Sequence, residues 1–113
     1  MVEFIEKRRC TRIVHTAVID ITRKNSAYFY DYTQNFCENG VYFKTKAPLD
    51  VSEKIILRFT LPGFDFVFEA ISKVVWIQRE SHDSGVGLEF VEISDPERAQ
   101  LKLFIERYSH NNV

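Results

Sequence analysis

The sequence predicts a mainly β domain, a barrel or sandwich of about six short strands closed by one C-terminal helix. Three observations predict it. Runs of period-2 alternation follow one another from residue 17 to residue 90, separated by turn residues. Ten Phe, five Tyr and one Trp in 113 residues favour strands over a helical bundle. From residue 95 the hydrophobic spacing changes to that of a helix.

The elements follow in order. Ala17, Ile19 and Ile21 alternate with Thr16, Asp20 and Thr22, and the polar stretch 22–26 reads as a turn. Tyr28, Tyr30 and Tyr32 share one side of the next run, a stripe suited to packing against the helix or a partner. Turn residues return at Asn35–Gly40, and Val41 and Phe43 then alternate with Tyr42 and Lys44. After a break at 48–53, Ile55, Leu57, Phe59 and Leu61 share a face up to the turn Pro62-Gly63. The run 65–79 passes Phe66, Phe68 and Ala70 and reaches Val74-Val75-Trp76-Ile77, where Trp76 reads as core or barrel packing. Val86, Leu88 and Phe90 make a last short strand. Ser94 or Asp95 can cap a helix over about 95–108, with Leu101, Phe104, Ile105 and Tyr108 on one face. Such a helix would cover a barrel mouth or edge.

Length allows one domain, and 45% hydrophobic residues are enough for a buried core. No apolar run approaches the roughly 18–20 residues that span a bilayer, so no membrane insertion is expected. Residues 1–12 lack the apolar core of a signal peptide, which points to the cytoplasm. Two cysteines make no disulfide framework. The net charge of −1 argues against a non-specific binder of nucleic acid polymers. It also hides an asymmetry. Lys7, Arg8, Arg9 and Arg12 outweigh Glu3 and Glu6 in a basic arm of residues 1–12, which leaves −3 for residues 13–113. A small anion gripped at one end fits this better than a long polyanion.

Enzyme signatures are scarce. His15, His82 and His110 match no metal spacing, and CxxC, HxxxH, GxGxxG and Walker-type loops do not occur. The contiguous His82-Asp83-Ser84 cannot form a triad among themselves in an ordinary loop. We therefore expect no enzyme, no metal and no cofactor.

Two short segments carry the functional signal. Arg8 and Arg12 form R-x-x-x-R ahead of the first strand. Asn35-Phe36-Cys37-Glu38-Asn39-Gly40 fits [D/N]-x-S-x-x-G, with cysteine in place of serine. Their order, the step of 23 positions from Arg12 to Asn35, the Val-Val-Trp at 74–76, the Gly-Val-Gly-Leu-Glu-Phe at 85–90 and the closing helix together resemble a PilZ domain over about residues 5–108. The resemblance implies a six-stranded antiparallel β-barrel with a C-terminal α-helix that receives cyclic di-GMP. By the resemblance, the ligand-binding residues would be Arg8, Arg9, Arg12, Asn35, Cys37 and Gly40.

The residue types suit that ligand. A guanidinium pairs bidentately with phosphate oxygens or with guanine O6 and N7, and Arg8 and Arg12 would meet different parts of one ligand. Arg9 between them would stack on a base or face solvent. Asn35 can donate to and accept from a guanine edge, and Gly40 permits a positive φ and a close backbone approach. At Cys37 a thiol replaces a good hydroxyl donor and acceptor, which costs on the order of 1 kcal/mol, about fivefold in affinity. With no effector domain in these residues, output would pass through an unidentified effector protein when the arm orders. The alternative is a PilZ-like adaptor that does not bind the nucleotide, which Cys37 favours and the arginine pair disfavours. A homodimer stays open. Cys10 and Cys37 both fall inside the motifs, so an arm folded over the turn would bring the thiols within disulfide range; the plainer reading is two unrelated thiols.

Overall fold

The computed structural model describes residues 13–24, 28–80 and 82–111. Arg8, Arg9, Cys10 and Arg12 lie outside the described residues. The elements are β1 (Ile13–Val14), β2 (Val18–Arg23), β3 (Tyr28–Cys37), β4 (Gly40–Thr45), β5 (Lys54–Phe59), β6 (Phe68–Arg79), β7 (Ser84–Glu92) and α1 (Asp95–Asn111). The strands join in the order β3-β2-β5-β6-β7-β4, and β4 pairs back onto β3, which closes a six-stranded barrel. All pairings are antiparallel. This is the expected fold, with β1 as an extra short strand.

β1 and β2 share one edge of β3. β1 pairs Phe36 and Asn35, and β2 pairs Tyr28 to Tyr32. Residues 15–17 leave the ladder between them, and the buried Thr33 side chain fills the gap. Its hydroxyl accepts from the Ala17 N–H and donates to the His15 carbonyl, both at 2.8 Å, so the broken ladder keeps its polar groups paired.

The alternation read from the sequence points Ile19, Ile21, Val41, Phe43, Ile55, Leu57, Phe68, Val74, Val86 and Leu88 inward, all at most 2% exposed. Phe59 stacks on Phe68 at 5.2 Å between centroids and touches Phe36 at 5.3 Å, so rings fill the barrel's capped end. α1 closes that end by burying Leu101, Phe104 and Ile105. Its cap is Ser94, whose hydroxyl accepts from the Glu97 N–H and donates to the Glu97 carboxylate. The helix runs to Asn111, three residues beyond the expected end. It does not cover the tyrosine stripe: Tyr28, Tyr30 and Tyr32 are 53–62% exposed on the barrel's outside.

Candidate functional site

The Asn35–Gly40 motif forms a two-residue connection. β3 runs on through Cys37 and β4 starts at Gly40, so only Glu38 and Asn39 turn. Strand register then sets what surrounds the motif, because residues opposite one another share a face. Asn35 pairs with Tyr42, Tyr42 with Gly87, and Gly87 with Trp76. In the adjacent row Cys37 pairs with Gly40, Gly40 with Glu89, and Glu89 with Lys73. Val41, Val86 and Leu88, alternating with these positions, point into the core, so both rows lie on the barrel's outer face.

Two bulges produce this arrangement. β3 shifts register between Thr33 and Asn35, and β6 between Val74 and Trp76. Each extra residue reverses the alternation. Asn35 therefore turns outward while Phe36 enters the core at 0% exposure. Trp76 likewise turns outward, half-buried, and packs on Tyr42 at 5.6 Å. It packs on the barrel and takes no part in the core.

Glycines keep this face low. A Cβ on Gly85 would collide with the Tyr42 phenol oxygen, so the bare backbone lets Tyr42 lie flat across β7. A Cβ on Gly40 would run into the Leu88 carbonyl oxygen of the neighbouring strand. The expected reason for Gly40 is partly corrected here. Among the described glycines only Gly63 has a positive φ, at 87°, and Gly40 is required by the close approach of β7.

Cys37 is 7% exposed and disulfide-bonded. Its sulfur also accepts from the Asn39 N–H at 3.4 Å. A disulfide sulfur has no hydrogen to donate, so in this form position 37 offers a ligand no donor. The sequence holds one other cysteine, Cys10.

The turn is held from outside the motif as well. The Phe90 N–H donates to the Asn39 carbonyl at 2.8 Å. Arg98, on the first turn of α1, donates through Nη1 to the Glu38 carbonyl at 3.2 Å and to Asn39 Oδ1 at 3.1 Å. Sequence reading missed Arg98: about 60 residues separate it from the turn, and it reads as one more polar residue on a helix. His15, the residue that follows β1, sits among the rings of Phe36, Phe104 and Tyr108 at 6.2, 5.3 and 5.3 Å. Burial there pushes its pKa below the ordinary histidine value. His82 is exposed in the loop before β7. No cluster of three or more metal-ligating side chains occurs among the described residues, and no described helix is long and apolar enough to cross a membrane.

The site thus brings Asn35, Cys37 and Gly40 together with Tyr42, Trp76 and Glu89 on one outer face, with Arg98 behind the turn. Such a face offers an aromatic plane, an amide and a carboxylate to a flat, hydrogen-bonding ligand. The grooves beside Arg23 and Glu53 lie at the opposite barrel end, and those two side chains are already bound to each other at 2.6 and 2.9 Å.

Comparison with known proteins agrees with the fold. The structure of the Bacillus subtilis inhibitor of motility (MotI/DgrA) superposes with a TM-score of 0.83 at 18% identity, over 93% of this chain and 52% of that one. YcgR from Escherichia coli in complex with c-di-GMP gives 0.79 at 14% identity, over 94% of this chain and 47% of that one. The isolated PilZ domain of YcgR with c-di-GMP gives 0.76 at 13% identity, over 94% of both chains. This chain thus spans about half the length of the first two proteins. No curated protein matches the sequence. The family model for the PilZ domain matches residues 6–107, nine-tenths of the sequence, and the chain belongs to the PilZ domain family.

Proposed function

We propose that this chain is a cyclic di-GMP receptor without enzymatic activity, and that it signals through a protein partner. Arg8 and Arg12 bind phosphates and a guanine Hoogsteen edge, with Arg9 beside them, while Asn35, Cys37 and Gly40 shape the guanine site. One observation carries the reading: strand register sets Asn35, Cys37 and Gly40 in two adjacent outer rows with the Tyr42–Trp76 pair. The complexes of YcgR with c-di-GMP, which share this fold, support it. In this reading the basic arm of residues 1–12 orders over the ligand, and that ordering changes the surface offered to the partner.

A second reading is favoured by Cys37. Its sulfur is disulfide-bonded and supplies no donor, which suits an adaptor that works through protein contacts alone. Isothermal titration with cyclic di-GMP separates the two. Saturable binding at micromolar or tighter affinity, lost in Arg8→Ala and Arg12→Ala, is the receptor outcome. No heat and no thermal stabilisation at millimolar ligand would overturn that reading and leave the adaptor.

A further inference from the structure

The C-terminal helix touches both the Asn35–Gly40 motif and the segment that follows β1. At its N-terminal end Arg98 reaches out of the first turn to the Glu38 carbonyl and Asn39 Oδ1, the two residues that connect β3 to β4 inside the Asn35–Gly40 motif. Farther along, Phe104 and Tyr108 pack on the ring of His15, three residues after Arg12. Six residues separate Arg98 from Phe104, about 9 Å of rigid helix at 1.5 Å per residue.

The helix is also fixed where Arg98 leaves it. Glu97 Oε2 accepts from the Glu69 N–H on β6 at 3.1 Å, and Ser94 caps the same turn. Leu101, Phe104 and Ile105 anchor the following turns in the core. Among the described residues, three groups hold the Glu38–Asn39 turn: the β7 backbone at Phe90, the Cys37 sulfur, and Arg98. Arg98 is the only one of the three that belongs neither to the sheet nor to the motif.

We propose that Arg98 is a positioning residue for the nucleotide site: it fixes the Glu38–Asn39 turn from α1 and thereby couples ligand occupancy to the seating of the helix. This inference rests on the cyclic di-GMP reading above. If a ligand requires the turn in its Arg98-bound form, the coupling is reciprocal: occupancy tightens the first turns of α1, and loosening them weakens binding. The signal then has a route to the barrel's capped end through described, packed residues, separate from any ordering of the arm.

The test uses the full chain with Arg98→Ala and Arg98→Lys, read by titration with cyclic di-GMP and by amide hydrogen exchange. In wild-type protein the ligand should slow exchange across residues 95–101. Arg98→Ala should keep a cooperative thermal transition, bind about tenfold more weakly, as expected for losing a charge-assisted bond, and lose the ligand-induced protection of α1. Arg98→Lys keeps a cation able to donate to both acceptors and should recover most of the affinity. Wild-type affinity and undiminished helix protection in Arg98→Ala would overturn the inference while leaving the receptor reading intact. Failure of the wild-type protein to bind would overturn the receptor reading and the coupling with it. The positioning role would then be decided without ligand: faster exchange at Asn39 and Gly40 in Arg98→Ala supports it, and unchanged exchange overturns it.

Discussion

Gly40→Ala separates two reasons for a glycine at the end of the motif. A glycine kept for ligand access would lose binding on substitution and keep its stability. Here the added methyl would meet the Leu88 carbonyl oxygen at far less than contact distance, with Leu88 C at 3.1 Å and Glu89 Cα at 3.3 Å. All three atoms are backbone of β7, so no side chain can rotate away. Relief requires β4 and β7 to part where Gly40 pairs with Glu89. Overpacking costs about 1–3 kcal/mol, and a stretched ladder bond adds about 1 kcal/mol. The sum is about 2–4 kcal/mol. With an unfolding entropy of about 2.1 cal/mol/K per residue, the melting temperature should fall by about 8–17 °C. Circular dichroism melts of wild type and Gly40→Ala measure this. Gly63→Ala is the contrast, because its site is open and only the positive φ is strained, at a cost of about 1–2 kcal/mol. A Gly40→Ala protein that melts within about 2 °C of wild type would refute the close-approach reasoning and return Gly40 to a purely ligand-facing role.

Four further outcomes follow. The His15 pKa is lowered by burial, so the unfolded chain takes up its proton first: stability should decline as pH falls below about 6.5 and level off under the folded value. Urea titrations at pH 7 and pH 5 should show a smaller pH difference for His15→Phe, which keeps a ring beside Phe104 and cannot titrate. The Glu53 pKa is lowered first by its hydrogen bonds from Arg23, so its contribution is present at neutral pH and lost as pH falls below its ordinary value; Glu53→Gln should cost about 1–2 kcal/mol at pH 7 and little in acid, by the same titrations. At Cys37, intact mass without reductant should be two hydrogens lighter than with it. In reductant, Cys37→Ser restores a hydroxyl donor and should bind cyclic di-GMP about fivefold more tightly than wild type by titration.

Much of the fold was legible because it is periodic. The inward sets of β2, β4, β5 and β7 obey simple alternation, and α1 announces itself by its cap and spacing. Period-2 reading fails at the two bulges beside the site. Counting on from Thr33 puts Phe36 outside and Asn35 inside, and counting on from Val74 puts Trp76 inside; one extra residue in each strand reverses all three. A bulge leaves little mark in a single sequence, so the residues that build the site's outer face were the ones whose facing was hardest to read. β1 was unreadable for a different reason: two residues carry no period. Its pairing also depends on Thr33, whose hydroxyl repairs the gap that separates β1 from β2. The motif itself was legible as residue types in order. Its partners Tyr42, Glu89 and Arg98 were not, because cross-strand register and helix docking join residues far apart in sequence.

The filled interior decides where a ligand can go. Small barrels of this size close with side chains in the middle, and here Phe36, Phe43, Phe59 and Phe68 take that space at 0–3% exposure. A dinucleotide has no room inside, so any nucleotide site must be built on the outside, where water competes for every hydrogen bond. The outer face meets that difficulty with rigidity. Tyr42 and Trp76 are fixed by each other and by bare glycine backbone beneath, so little side-chain freedom remains to be lost on binding. In the proposed reading, a face already set in place gains little motion from a ligand. In that reading the response of the described barrel, beside the proposed ordering of the arm, arises at the rim, where the Glu38–Asn39 turn meets α1 and Arg98 joins the two.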